Sequence, residues 1–117
     1  MYRCLCLFFL FTSFFFAQKT FADKHDIVTG TYIVNGVCEQ CKKRIEDAAY
    51  IKGVKYAGWD VATHNLTVKY DSTKTSSVLI LKSIAKAGHD SDDFKAEDED
   101  YNKLPACCRY RSGLKKH

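Results

Sequence analysis

Cys38 and Cys41 stand three residues apart in Gly36-Val37-Cys38-Glu39-Gln40-Cys41-Lys42-Lys43, where a strand-like pattern ends, a glycine can turn the backbone and a helical pattern begins. The spacing places Cys38 in the turn or at the helix cap and Cys41 in the first helical turn, so both sulfurs reach the same end of one helix. Two thiols so placed can share one ion. The partial positive charge of the helix start and the neighbouring Lys42, Lys43 and Arg44 favour thiolate over thiol, and thiolate is the form that binds metal or attacks a disulfide. A second pair, Cys107 and Cys108, lies near the end of the chain.

Two thiolates satisfy a soft d10 ion that accepts few ligands, such as Cu(I) or Hg(II), whereas structural Zn normally takes four. With Cys38 and Cys41 alone, copper is the leading cargo. A tail that folds back would bring Cys107 and Cys108 and raise the sulfur count to four, which makes Zn or another soft ion competitive. The same adjacent pair could serve instead as disulfide partners or link two chains. Lys42, Lys43 and Arg44 could offset the charge of a metal–thiolate complex and meet an acidic partner, or form no more than an exposed basic face. Trp59, Tyr32, Tyr56 and Tyr70 sit at strand spacing and read as core or cross-strand packing rather than a binding platform. His25, His64 and His117 read as surface residues.

These groups need elements to hold them. Ile27 to Asn35 is rich in β-branched and aromatic residues and predicts a strand. Cys41, Ile45, Ala48 and Ala49 recur at helical spacing, predicting a helix over 39–51 that Gly53 ends. Val54 to Val61 predicts a second strand, Ala62 to Asn65 a turn, and Leu66, Val68 and Tyr70 alternate through a third, so these two strands should form a hairpin. Cap residues in Asp71–Thr75 precede a second helix, with Val78, Leu81, Ile84 and Ala85 as its buried stripe, widened by Leu79 and Ile80, and Gly88 as its end. His89 to Ala96 predicts a weak last strand. The order strand, helix, strand, strand, helix, strand predicts an α+β βαββαβ fold, two helices on one face of a four-stranded antiparallel sheet.

Length leaves room for one domain and little more in 117 residues. Arg3, the apolar run Leu5 to Ala17 and the small residues around Thr20-Phe21-Ala22 predict a secretory signal peptide over 1–22. That apolar run is well short of the roughly 20 residues a membrane-spanning helix needs, so no stable membrane insertion is expected after cleavage. Losing Arg3 and Lys19 takes the 18 basic residues to 16 against 14 acidic ones, a balance that argues against nucleic acid as partner. The expected location is exported, periplasmic or secreted. There thiols tend to pair, and Cys38, Cys41, Cys107 and Cys108 allow three disulfide connectivities among which the sequence does not choose. Glu97-Asp98-Glu99-Asp100 predicts a solvated charged linker, leaving residues 98–117 as linker and Cys-Cys tail.

The stretch Val34 to Cys41, the helix after it, Gly53-Val54, Leu66 to Asp71 and Ala87-Gly88-His89-Asp90 together resemble the heavy-metal-associated domain, over residues 26–97. That family includes copper chaperones, periplasmic mercury-binding proteins and the amino-terminal modules of metal-pumping P-type ATPases. The resemblance implies a ferredoxin-like fold in which Cys38 and Cys41 bind one soft metal ion, with a metal-transporting ATPase or another metalloprotein as partner. It also places His89 close to the metal site, as an auxiliary ligand or a group that tunes the thiolates, although a lone histidine in a turn is more often solvated. The family's loop usually reads Gly-Met-Thr-Cys, whereas Val37 alone separates Gly36 from Cys38 here. The shorter loop and the Cys-Cys tail are similar to exported bacterial members.

No catalytic base, nucleophile partner or phosphate loop is evident, so a non-enzymatic binding protein is expected. Its rival is a thiol–disulfide oxidoreductase, since Cys-x-x-Cys at a helix start is also a redox design. Against that rival, valine and not tryptophan precedes Cys38, and the only proline, Pro105, lies in the tail. A third reading makes both pairs structural disulfides in a small interaction domain.

Overall fold

The computed structural model describes residues 26–112; the expected signal peptide, His25 and His117 lie outside the described residues. Three strands, β1 (Ile27–Ile33), β2 (Val54–Trp59) and β3 (Asn65–Asp71), form an antiparallel sheet in the order β1-β3-β2. Helices α1 (Glu39–Ala49) and α2 (Ser77–Lys86) cross between them. A third short helix, α3 (Asp98–Asn102), and two 3-10 turns, Ala106–Cys108 and Tyr110–Ser112, complete the described chain. Among the described residues no helix is long and apolar enough to cross a membrane.

The β2–β3 hairpin forms as its alternation predicts, pairing Trp59 with Leu66 and Ala57 with Val68. Asp60 closes the connection, its Oδ1 accepting from the backbone of Ala62 and Thr63 at 2.8 and 2.9 Å. Helix α1 buries Cys41, Ile45 and Ala49, the predicted stripe, against α2 and the sheet. Helix α2 is capped by Ser76, whose Oγ accepts from Leu79 N, rather than by Asp71–Thr75. It buries Ile80, Leu81 and Ile84, while Val78 and Leu79 face outward at 45% and 52% exposure. Leu81 and Ile84, with Ile80 beside them, thus carry the stripe as expected, whereas Val78 and Leu79 in the first turn do not reach the core. Fully buried side chains such as Ile45, Leu66, Ile80 and Ile84 each contribute roughly 1.5–3 kcal/mol of apolar burial. Trp59 and Tyr70 join this core, Tyr32 packs at its edge, and Tyr56 stays exposed, contrary to the packing role expected of it.

The expected fourth strand is not shown. His89 to Ala96 contributes a single bridge, Val34 to Ser91, instead of a ladder along β1. Its polar groups bond locally. Ser91 N donates to Phe94 O at 2.8 Å, Phe94 N to Ser91 Oγ at 3.2 Å and Ala96 N to Asp90 Oδ1 at 2.7 Å. Asp and Ser side chains compete in this way with a strand ladder, which explains why the segment turns back on itself.

Beyond it the charge run opens α3 instead of running on as extended linker. Tyr101, Leu104 and Cys108 are buried from this tail, and they recur at helix-like spacing. Gly88 makes room for them. It ends α2 at φ +100, and a Cβ there would meet Asp100 O and Leu104 Cγ at 2.9 Å, so both its backbone and its smallness are required.

Candidate metal centre

Cys38 is the N-cap of α1 in extended conformation, and its side chain makes no capping bond, which leaves the sulfur available. One turn on, Cys41 is wholly buried. Their sulfurs lie 3.6 Å apart, as the spacing predicted. Gly36 lets the loop close over them: a Cβ there would sit 2.9 Å from the Trp59 ring and 3.0 Å from Cys41 Cβ. Trp59 floors the loop and donates Nε1–H to Val34 O at 2.9 Å.

The tail returns to this point. Cys108 is wholly buried with its sulfur 3.7 Å from that of Cys38, and the Sγ atoms of Cys38, Cys41 and Cys108 all lie within 4.8 Å of one another. All four described cysteines are free thiols. Cys107 does not join the group. It is exposed, its sulfur 3.9 Å from that of Cys108, and it donates to Gln40 Oε1 at 2.9 Å. Of the pair expected to act together, the fold thus brings in one member and leaves its neighbour at the surface.

His89 departs from the solvated turn expected of a lone histidine. It is wholly buried, its Nδ1 bonds Asn35 O at 2.8 Å, and its ring stacks on Tyr110 with centroids 5.5 Å apart. It stands outside the thiol group and holds Asn35, at the entry to the Cys38–Cys41 loop. His64, by contrast, is only half buried and stacks on Trp59.

The three basic residues after Cys41 divide. Lys42 pairs with Glu46 and donates to Trp59 O at 2.8 Å, and Lys43 pairs with Asp47 at 2.8 Å. Arg44 differs: it is half buried with its Nη1 atom out of solvent, its side chain favours the thiolate of Cys108, and its charge disfavours a protonated His89. A cation placed there favours thiolate.

The thiols differ in readiness to ionise. Burial works to raise Cys38, but hydrogen bonds from the Cys41 backbone, the Cys41 and Cys108 thiols and the Gln40 backbone outweigh it and leave the group lowered. Burial pushes the Cys108 thiol well up, and its contacts with Cys41 and Cys38 add to this against the opposing Arg44. The two thiols are thus pushed in opposite directions, Cys38 toward thiolate and Cys108 toward thiol.

Several participants were not read from the sequence. Gln40 receives Cys107, and Tyr101, Tyr110 and Arg111 secure the tail. The one signal for them was the 101, 104, 108 spacing, which predicts a buried face on a segment otherwise read as unstructured.

A small α+β domain that gathers three thiols at the start of an amphipathic helix has the donor set of a soft-metal site. The heavy-metal-associated domain model matches residues 31–90, just over half of the 117 residues, and the chain belongs to that family. It is similar to the CopZ metallochaperone, with 27% identity over 55% of this chain and 98% of the other and a TM-score of 0.53. It is similar to oxidized MerP from Ralstonia metallidurans CH34, with 29% identity over 57% of this chain and 96% of the other and a TM-score of 0.54. The water-soluble region of the P-type ATPase CopA from Bacillus subtilis shares 28% identity over 58% of this chain and 46% of the other, with a TM-score of 0.54. No curated protein matches the chain. Cys107 and Cys108 lie beyond the residues that match the family.

Proposed function

We propose that this protein binds a soft metal ion through Cys38 and Cys41 outside the cytoplasm and passes it on. The observation that carries this reading is the pair of free sulfurs 3.6 Å apart at the head of α1. Cu(I) is the leading cargo, with Hg(II) and Zn behind it, because a small set of thiolates suits a soft d10 ion. The likeness to a metallochaperone and to a P-type ATPase's soluble region supports transfer, with a metal-transporting ATPase or another metalloprotein as acceptor. The signal-like first 22 residues support export. Transfer proceeds by exchange of one thiolate at a time.

Reduced protein titrated with Cu(I) without oxygen takes up about one ion per chain, and a Cys38→Ser, Cys41→Ser double variant takes up none. Full uptake by the double variant refutes the reading.

A further inference from the structure

The reading above uses two thiols, but the fold assembles three. Cys108 reaches the other two across 70 residues of sequence, and it does so from outside the family-matched stretch. We propose that Cys108 is the third ligand of a trigonal three-sulfur centre with Cys38 and Cys41, and that the tail is the arm whose withdrawal releases the ion. This rests on the proposed binding at Cys38 and Cys41 and adds a coordination number and a release step.

Sulfur spacing separates a two-sulfur centre from a larger one, and the place of Cys107 separates three sulfurs from four. With metal–sulfur bonds of about 2.3 Å, a linear ion needs its two sulfurs about 4.6 Å apart, a trigonal ion about 4.0 Å and a tetrahedral ion about 3.8 Å. The observed separations are 3.6 Å for Cys38 to Cys41 and 3.7 Å for Cys38 to Cys108, so an ion held by three or four sulfurs asks for a few tenths of an ångström at most and a linear one for about a full ångström. A fourth sulfur would have to come from Cys107, which is exposed and bonded to Gln40.

Charge balance points the same way. Three thiolates leave Cu(I) with two net negative charges and Hg(II) with one, and the half-buried Arg44, whose Nη1 is itself buried, favours the thiolate of the third sulfur. Binding releases the thiol protons to solvent as the metal–sulfur bonds form, with no change of oxidation state. On release an acceptor's thiolate takes a place on the ion as Cys108 leaves and regains its proton. The tail that carries Cys108 contributes no strand to the sheet, so its withdrawal breaks the contacts of Tyr110 and Arg111 and exposes Tyr101, Leu104 and Cys108 while the strand ladders stay paired.

X-ray absorption at the metal edge of the reduced, Cu(I)-loaded protein counts the sulfurs. Three are expected in the wild type and in Cys107→Ser, and two in Cys108→Ser. In competition with a chromophoric copper chelator, Cys108→Ser should hold the ion at least roughly tenfold more weakly, since even loss of an outer-shell partner costs about 10–100-fold. Two sulfurs in the wild type overturn the third ligand while leaving the two-cysteine reading intact. Four sulfurs overturn it by bringing in Cys107. Binding that survives loss of both Cys38 and Cys41 sinks the reading beneath it instead. Because the wild-type count decides alone, a Cys108 variant that fails to fold leaves the test standing.

Discussion

Arg111 grips Asp90 through two bonds, Nη2 to Oδ1 at 2.7 Å and Nε to Oδ2 at 3.0 Å. The backbone oxygen of Asp90 accepts from Asn35 N at 2.8 Å, so one residue anchors both the tail and the entry to the metal loop. Arg111 also donates to Ala96 O at 2.7 Å and lies over the Tyr101 ring at 4.3 Å. Tyr110 adds to the hold, donating its hydroxyl to Gly88 O at 2.9 Å while accepting from Asp90 N at 2.7 Å. These bonds, with the buried side chains of Tyr101 and Leu104, hold the segment that carries Cys108 against the domain.

Removing the guanidinium should therefore free the tail. Arg111→Ala is expected to lose about 2 kcal/mol of stability, the scale of charged hydrogen bonds in a half-buried site. Arg111→Lys should recover only part, since an ammonium cannot make the paired contact. Alkylation of Cys108, followed by mass spectrometry of the metal-free protein, should be faster in both variants. An unchanged rate would show that something else holds the tail.

Arg44 bears on the loaded state more than on the empty one. Arg44→Met should weaken Cu(I) or Hg(II) retention by about tenfold, the low end for a residue that supports ligands from behind. Metal-free stability should hold or rise, because the substitution removes a buried nitrogen that has no hydrogen-bond partner. Chelator competition and thermal unfolding, run side by side, separate the two effects.

Gly36→Ala forces a methyl against the Trp59 ring and Cys41 Cβ at 2.9 and 3.0 Å. Overpacking of this kind costs roughly 1–3 kcal/mol. The indole and the loop must both shift, so the Trp59 fluorescence of the folded protein should change and metal affinity should fall. A variant with unaltered fluorescence and affinity would mean the loop has slack that the packing does not suggest.

His89 makes stability depend on pH. Burial pushes its imidazole down to about 4, and the Arg44 charge adds to this, against the bond to Asn35 O and the Asp90 carboxylate. A depressed value means the unfolded chain, titrating near 6.5, binds the proton more readily. The contribution is fully present above about 6.5 and is lost as pH falls toward 4, on the order of 3 kcal/mol in all. His89→Asn can keep a donor toward Asn35 O without titrating, so its denaturation midpoint should change less over that range. Parallel curves for the two proteins would remove His89 as the cause.

The hairpin and α1 were legible because their signals are local. Alternation in Leu66, Val68 and Tyr70 and the helical recurrence of Cys41, Ile45 and Ala49 each report a buried face directly. The Cys38–Cys41 pair was legible for the same reason, since three residues across a helix start leave little freedom. The α2 stripe was legible at Ile80, Leu81 and Ile84 and misread at Val78 and Leu79, which fall in the first turn after the Ser76 cap and stay exposed. The last strand failed where Asp90 and Ser91 took up the backbone bonds that a ladder needs.

By itself, the sequence determined the order of the main helices and the hairpin and the nearness of two thiols on one turn, all of them consequences of spacing within about a dozen residues. Only the tertiary structure decided that Cys108 enters the group while Cys107 stays outside, that Arg44 acts on Cys108, and that His89 is buried. Those outcomes depend on where a tail lands after folding back across the domain, and loop closure over such a distance is set by packing and by the Arg111–Asp90 contact, which leave no periodic trace in the chain.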